Sequence, residues 1–328
     1  MTSVALIQLG ERHTEIIGGV VSMFLRKGVN RIVVYTTKYE SSFVPYYRKL
    51  FKRTKRIKWS YIPPGRRKSQ LRKKIEKECE LYVFLTGAEY EELRLSPQET
   101  LLIAHYADDV REHNKWNVCA QIALSPVFHR ENIKSFLNVF VERPIRRVLK
   151  RLEILIAGLT NPENKDLEPL RALMNRLAEN GNRLPSGRTV LFHVINYYPI
   201  GKEFGPFEAA DLLKVYVDIP AEEMMKILRK SAYTMVLASK NSSYHTHQLS
   251  GIIPLSISCG VPLICDRELA KIYHMSRICT TYSFTKDYLY RALKSAGKKD
   301  LRLMKERTIA FRDKKVVANR KARIPCLR

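Results

Sequence analysis

Short apolar runs alternate with stretches of helical period along the first half of the chain. The apolar runs cover residues 4–9, 31–36, 57–62, 81–86, 101–105 and 120–124, and each has the length of a buried strand. The stretches 15–27, 46–55 and 69–78 have helical periodicity, and Gly28 follows the first of them. Continuous apolar strands that alternate with helices predict a parallel sheet covered on both faces.

The same alternation begins again after Arg143 and Pro144. It predicts strands over 153–157, 189–195, 213–217 and 233–238, with helices over 167–180 and 221–231. After residue 290 the pattern predicts one more helix, followed by poorly ordered basic residues. Two consecutive α/β domains are therefore expected, with the boundary between them near residues 144–150.

A turn, a short helix and a strand follow one another between Gln248 and Asp266. The Ser250-Gly251 turn leads into a helix that is predicted to open near Pro254 and to end at Gly260. A helix start presents unpaired N–H groups and the positive end of the helix dipole to one point. The backbone of Ser250, Gly251 and Ile252 is therefore a candidate cradle for a phosphate or diphosphate.

The composition predicts a globular protein of the cytoplasm. The chain has 328 residues and 45% hydrophobic residues, and it contains no apolar run of the 18 to 20 residues that a membrane span needs. Its first residues lack the basic flank of a signal peptide. The six cysteines are scattered, without a C-x-x-C pair, and are predicted to be reduced thiols.

The formal net charge of +26 is concentrated in two stretches. Residues 48–77 contain 14 Lys and Arg against one acid, and residues 291–328 contain 14 against three. Such patches indicate an anionic partner: an acidic membrane surface, an anionic acceptor or nucleic acid. Aromatic residues lie between the cations of the first stretch, which suits a membrane surface and a nucleic acid equally.

The order of these elements resembles that of the GT-B glycosyltransferase superfamily, whose fold is two tandem Rossmann-like α/β domains facing a cleft. The segment from Ser250 to Ile264 is the most specific part of the resemblance. Gly18 and Gly19 resemble a diglycine that approaches donor phosphate or acceptor, and Gly158 and Thr160 resemble a loop at the cleft. The resemblance implies an acceptor-side domain over 1–147, a donor-binding domain over 148–290, and a basic C-terminal helix and tail over 291–328.

The chain departs from the superfamily in its acidic residues. Retaining members often have two carboxylates eight residues apart in the donor segment, where this chain has His247 and Leu255. It also has no Asp-x-Asp, the metal-diphosphate motif of the other major glycosyltransferase fold. We therefore expect a reaction without metal or other cofactor, in which helix N–H groups and a cation stabilise the leaving diphosphate. The candidate cations are Lys240, Arg267 and Lys271, and His247 is a candidate donor contact.

An inverting transfer needs a general base on the acceptor side, and histidine titrates in the required range. His13 follows the first strand, where inverting members often have a catalytic histidine, and Glu11 or Glu15 could orient it. His105 ends another predicted strand and is the second candidate, because ligand sites of open α/β sheets gather at the carboxyl ends of strands.

The sequence thus predicts a glycosyltransferase that uses a nucleotide-diphosphate sugar. Its acceptor would be a glycan, a lipid-linked glycan or a protein glycan, and the protein would be cytoplasmic or peripheral at a membrane. A DNA-modifying glycosyltransferase is one alternative. A non-catalytic protein of the same fold that binds a nucleotide or a polyanion is the other, and the missing carboxylates favour it.

Overall fold

A computed structural model describes most of the chain. The described residues are 2–10, 13–37, 43–63, 65–105, 110, 114–124, 126, 134–145, 151–158, 167–196, 198–199, 204–246, 250–324 and 326–327. They form two compact units. The first contains the chain up to Phe140, with Ser250, Gly251 and the residues from Lys314 onward, and the second contains the remainder.

The first unit is built on a parallel sheet, in which seven strands are described. They are β1 (Ser3–Gln8), β2 (Arg31–Thr36), β3 (Ile57–Tyr61), β4 (Leu81–Phe84), β5 (Thr100–Ala104), β6 (Ala120–Ala123) and β7 (Lys134–Ser135), in the order β3-β2-β1-β4-β5-β6-β7. The described helices are α1 (Ile17–Arg26), α2 (Val44–Leu50), α3 (Lys68–Glu78) and α4 (Gly87–Leu93).

The strand order of this sheet reverses direction next to β1. Ile7 of β1 pairs with Tyr35 of β2 on one side and with Phe84 of β4 on the other, and all three are fully buried. A chain that winds outward in both directions leaves a crevice at the carboxyl ends of its central strands, where such folds bind ligands. The residues after β1, β4 and β5 therefore lie at the natural site of this sheet.

The second unit has a parallel sheet of six strands among its described residues. They are β8 (Leu152–Ala157), β9 (Val190–Asn196), β10 (Leu213–Val217), β11 (Tyr233–Met235), β12 (Leu263–Asp266) and β13 (Cys279–Tyr282), in the order β10-β9-β8-β11-β12-β13. The helices that follow are α5 (Glu168–Glu179), α6 (Gly205–Ala209), α7 (Ala221–Lys230), α8 (Ile252–Cys259), α9 (Arg267–Ile272), α10 (Tyr288–Lys298) and α11 (Leu301–Lys321).

The prediction for the C-terminal residues is right about the helix, because α10 covers Tyr288–Lys298, but wrong about the residues that follow it. In place of poorly ordered basic residues, the structure has the 21-residue helix α11. Its buried residues recur every three or four positions and include Thr308, Arg312 and Asn319, so the buried stripe is partly polar. The Asn319 side chain donates a hydrogen bond to the backbone oxygen of Leu137, and both residues belong to the first unit.

The prediction of six reduced thiols is also wrong, because Cys119 and Cys326 form a disulfide within the first unit. The other four cysteines, at positions 79, 259, 265 and 279, are free and buried. Disulfides persist mainly in oxidising compartments, so cysteine usage no longer supports the prediction of a cytoplasmic protein. Among the described helices, none combines the length and the hydropathy needed to cross a bilayer.

Candidate active site

The loop after β1 is fixed by side chains from neighbouring elements. Glu89, a buried residue of α4, accepts hydrogen bonds from the backbone N–H groups of Leu9 and Gly10. The hydroxyl of Thr37 donates to the backbone oxygen of Leu9 at 2.7 Å. Tyr47 donates its hydroxyl proton to the backbone oxygen of Glu15. The loop that contains His13 is therefore held at both of its ends.

Burial strongly affects the carboxyl group of Glu89. Desolvation raises its pKa to about 7, although the hydrogen bonds from Gly10 and Leu9 act in the opposite direction. Near neutral pH, Glu89 therefore exists in both protonation states. Both states keep an oxygen that can accept from the loop, but only the charged state makes these hydrogen bonds charge-assisted.

His13 adopts a backbone conformation that is uncommon for a residue with a side chain. Its φ is 66° and its ψ is 16°, in the left-handed region, and it precedes a short 3-10 helix over Thr14–Ile16. The Nδ1 atom of His13 lies 3.7 Å from Oε1 of Glu15. Its ring centroid is 4.0 Å from that of His105, with an angle of 33° between the two planes. The structure therefore brings both candidate histidines and one candidate carboxylate together.

His105 is buried directly after β5, and its tautomer follows from its hydrogen bond. The Nε2 atom lies 2.6 Å from the backbone oxygen of Leu85. A carbonyl oxygen can only accept, so Nε2 must carry the proton. This bond fixes the ring plane against which the His13 ring packs. His13 is the more accessible of the two histidines, with 27% of its side chain exposed.

Glu15 is held in its charged form. Burial raises its pKa, but the neighbouring His13 ring, with Nδ1 3.7 Å away, acts in the opposite direction, and the net shift is below the ordinary value. A carboxylate beside an imidazole stabilises the protonated ring. Of the two acids expected to orient His13, Glu15 is in place, and Glu11 lies outside the described residues.

The carboxylate of Glu15 also lies against Gly251. A Cβ atom placed on Gly251 would be 3.2 Å from Oε1 of Glu15 and 3.5 Å from its Cγ. Ser250 is buried and Gly251 is half-buried. Within the first unit, the candidate cradle residue Gly251 thus lies beside Glu15 of the histidine and glutamate cluster.

Gly18 and Gly19 are both buried in α1, and the structure accounts for them by packing. A Cβ atom on Gly18 would lie 2.6 Å from Cζ of Tyr47. One on Gly19 would lie 2.6 Å from Cγ and 2.8 Å from the backbone carbon of Asn138. Both glycines therefore permit close packing within the unit. Their approach to a donor phosphate or an acceptor stays a prediction.

In the second unit, the segment that was predicted to bind the donor folds as a helix followed by a strand. α8 begins at Ile252, Pro254 lies in its first turn, and Gly260 ends it with a φ of 70°. Gly158 directly follows β8 and donates its backbone N–H to Ile195. The candidate cations Lys240, Arg267 and Lys271 are exposed. Thr160 and His247 lie outside the described residues.

His245 and Asp266 form a buried ion pair at the carboxyl end of β12. Nε2 of His245 lies 3.1 Å from Oδ1 of Asp266, and the two side chains are 5% and 1% exposed. The same Asp266 oxygen accepts from the N–H of Leu269 and caps α9. Asp266 accepts from the His245 ring and thereby raises the pKa of His245 above its ordinary value, although burial acts against this.

A cavity of about 250 Å³ lies between α5 and the residues around the start of α10. Arg176 lines it, with its guanidinium 3.9 Å from the ring centroid of Tyr290 and a hydrogen bond of 3.0 Å to Asp287. No predicted donor residue lines this cavity. Among the described residues, no three His, Cys, Asp or Glu side chains form a cluster that could hold a metal ion.

Glu89, Thr37 and Tyr47 are site residues that the sequence reading did not single out. Glu89 lies in the stretch Gly87 to Leu93, whose three glutamates gave no apolar signal for a helix. Its position in the chain could have indicated a site residue, because Glu89 closely follows the carboxyl end of the predicted strand 81–86. Tyr47 lies in the predicted helical stretch 46–55, and its contact with Glu15 depends on tertiary packing.

No protein-family model matches the chain, and no curated protein sequence matches it. Its structure is similar to that of S. aureus TarM, solved as a mutant with fondaparinux, α-GlcNAc-glycerol and UDP. The TM-score is 0.63 over 98% of this chain and 100% of that one, at 8% identity. It is also similar to an α-glucosyltransferase solved with UDP and a 13-mer DNA containing an HMU base. There the TM-score is 0.62 over 95% of each chain, at 9% identity.

A third similar structure is the O-GlcNAc transferase of Thermobaculum terrenum, with a TM-score of 0.54 and 9% identity. The likeness covers 97% of this chain but only 64% of that one, so this chain spans less than two thirds of its length. These likenesses show the fold, which is the GT-B fold of two Rossmann-like domains. The expected fold class is therefore confirmed.

Proposed function

We propose that the protein is a glycosyltransferase that moves a sugar from a nucleotide-diphosphate sugar to a hydroxyl group of its acceptor. The observation that carries this proposal is the cluster of His13, Glu15 and His105 at the switch point of the first sheet. Its setting in a GT-B fold supports the proposal, as do the similar structures named as transferases and solved with UDP.

In the proposed reaction, His13 takes the proton of the acceptor hydroxyl as the oxygen attacks the anomeric carbon of the sugar. The new C–O bond forms while the bond from the sugar to the diphosphate breaks, and the nucleoside diphosphate leaves with the electron pair. Glu15 stabilises the protonated imidazole, and His105 holds the ring plane. Attack opposite the leaving group inverts the anomeric centre.

The donor side of the proposal uses backbone groups. The N–H groups of Ser250, Gly251 and Ile252 would meet the diphosphate at the start of α8, with Gly158, Thr160 and His247 as further donor contacts. One of Lys240, Arg267 and Lys271 would supply a positive charge. These assignments need no metal and no other cofactor.

We expect the acceptor to be a glycan, a lipid-linked glycan or a protein glycan. A nucleic-acid acceptor is the second candidate, favoured by the exposed cations of residues 48–77. A protein without catalysis would bind the donor and never consume it. Release of nucleoside diphosphate from the bound donor therefore distinguishes a non-catalytic protein from either kind of transferase.

The test compares His13→Asn with His274→Asn. Both histidines have a positive φ, of 66° and 53°, and asparagine tolerates that conformation. His274 lies in the second unit and is exposed. We expect His13→Asn and His13→Ala to lose about 10²- to 10⁴-fold in turnover, with the donor Kd changed less than about twofold. His274→Asn should keep wild-type turnover. Retained turnover in both His13 variants would remove His13 from the mechanism.

A further inference from the structure

The cations of residues 48–77 form one edge of the first unit, which we call the basic surface. The stretch contains the end of α2, the edge strand β3, and helix α3. Of its fourteen Lys and Arg residues, twelve are exposed. They are Arg48, Lys49, Lys52, Arg53, Lys55, Arg56, Lys58, Arg67, Lys68, Arg72, Lys73 and Lys77. A strong positive potential therefore faces solvent along this edge.

Few of these charges are neutralised within the described residues. Lys58 pairs with Glu78 at 3.1 Å, Lys68 with Glu92 at 3.5 Å, and Arg72 with Glu76 at 2.8 Å. No ion pair is described for Lys52, Arg53, Lys55 and Lys73. Cations at such density repel one another, and binding to a polyanion relieves that repulsion.

The basic surface offers charge without an apolar face. The apolar residues of its helices, such as Tyr47 of α2 and Leu71 and Ile75 of α3, are buried in the unit. Within the described stretch, Tyr61 is the single exposed large hydrophobic residue, at 37%. The Arg48 guanidinium lies 5.2 Å from its ring centroid and donates to its hydroxyl at 2.9 Å. An amphipathic helix needs an exposed apolar face to enter a bilayer, and neither helix has one.

We propose that the basic surface binds the phosphodiester backbone of duplex nucleic acid. Helix α3 has 11 residues and is about 16 Å long, which spans about five base pairs of B-form DNA. Lysine and arginine contacts to phosphate position a protein on the duplex without reading its sequence. Binding is therefore independent of sequence and strongly dependent on salt. The proposal goes beyond sugar transfer and does not depend on it.

The test measures fluorescence anisotropy of a labelled 20-base-pair DNA duplex between 50 and 200 mM NaCl, without any nucleotide sugar. With six or more phosphate contacts, the wild-type protein should lose about 10³-fold or more in affinity over this range. The variant Lys52→Gln/Arg53→Gln/Lys55→Gln/Lys73→Gln should bind at least about tenfold more weakly at 100 mM NaCl. Its salt slope should be shallower by about 3.6, because each of the four lost phosphate contacts removes about 0.9.

The matched control removes the same charges from exposed positions of the second unit: Arg183→Gln/Lys214→Gln/Lys226→Gln/Lys230→Gln. Its affinity should stay within about twofold of wild type. Equal binding by the two quadruple variants would overturn the proposal, as would absence of wild-type binding at 50 mM NaCl. Tighter binding to vesicles of phosphatidylserine than to DNA, lost in the first variant, would also overturn it by assigning the surface to membranes. His13→Asn should bind DNA as wild type does, which keeps this test separate from that of transfer.

Discussion

Replacement of Gly19 by alanine tests whether the diglycine of α1 serves packing or ligand binding. The added Cβ atom would lie 2.6 Å from Cγ and 2.8 Å from the backbone carbon of Asn138, which is itself buried. A side chain could rotate away, but the backbone carbon cannot move without shifting the residues around it. Overpacking of this kind costs about 3 kcal/mol, and the better helix propensity of alanine returns about 1 kcal/mol. The net loss is therefore about 2 kcal/mol.

The first unit contains about 160 residues, which gives an unfolding entropy of about 0.34 kcal/mol/K. A loss of about 2 kcal/mol should then lower its Tm by about 6 °C, measured by thermal unfolding in circular dichroism. Gly205→Ala is the control, because a Cβ atom there meets nothing within 4 Å. Its Tm should not fall, and the better helix propensity of alanine should raise it by up to about 3 °C.

Packing and ligand binding predict opposite results for Gly19→Ala. If packing explains the glycine, the variant loses stability and binds the donor normally at temperatures where it is folded. A variant with wild-type Tm would refute the packing explanation. A tenfold weaker donor affinity at wild-type Tm would instead show that Gly19 lets the backbone approach the ligand.

Three further predictions concern other parts of the molecule. Cys326→Ser should lower the Tm, because the disulfide to Cys119 spans 207 residues and its chain-entropy effect on the free energy of unfolding is about 5 kcal/mol. Reduction should lower the wild-type Tm equally and leave the Tm of the variant unchanged. His245→Gln should cost most stability below pH 6.5 and progressively less as the pH rises, since a raised histidine pKa stabilises the fold only while the ring is protonated; a pH-independent difference in Tm would contradict this. Glu89→Gln should gain stability relative to wild type as the pH rises from 6 to 8, because a carboxyl group with a pKa near 7 is destabilising once charged; a constant Tm difference over this range would contradict it.

The strands were predictable from the sequence where aliphatic residues follow one another. The predicted runs 31–36 and 213–217 coincide with β2 and β10, and the other predicted strands differ from the observed ones mainly at their ends. β13 was missed because its sequence, Cys279 to Tyr282, contains two threonines and no aliphatic residue, although Thr280 is buried. Hydropathy could not show that this polar strand pairs with β12.

The individual histidines of the candidate site were predictable, but their association was not. His13 and His105 each follow a predicted strand, and that position alone made them candidates. Their contact depends on strand order, which places β4 between β1 and β5 and brings three distant loops together. Glu89 could not be inferred from hydropathy either, because a buried carboxyl group is rare and its partners are backbone N–H groups.

The burial of the C-terminal helix was not predictable from its charged sequence. The sequence predicted poorly ordered basic residues here, whereas the structure buries Met304, Thr308, Arg312 and Val316 along one side of α11. Arg312 donates to the backbone oxygens of Glu142 and Ser258, at 3.0 Å each. A hydrophobicity pattern treats every arginine as a polar surface residue. It therefore could not show that this arginine is buried and donates hydrogen bonds to buried carbonyl groups.

Donor binding tests the central claim most directly. The measurement is thermal unfolding of the wild-type protein with a panel of nucleoside diphosphates and nucleotide-diphosphate sugars. A ligand at 100 times its Kd should add about 2.7 kcal/mol, which corresponds to about 5–10 °C in Tm. We expect a shift with one nucleotide family, and its loss in Gly251→Asp, where a second carboxylate would lie beside Glu15. No shift with any member of the panel would contradict the proposed donor and leave a polyanion-binding protein with this fold.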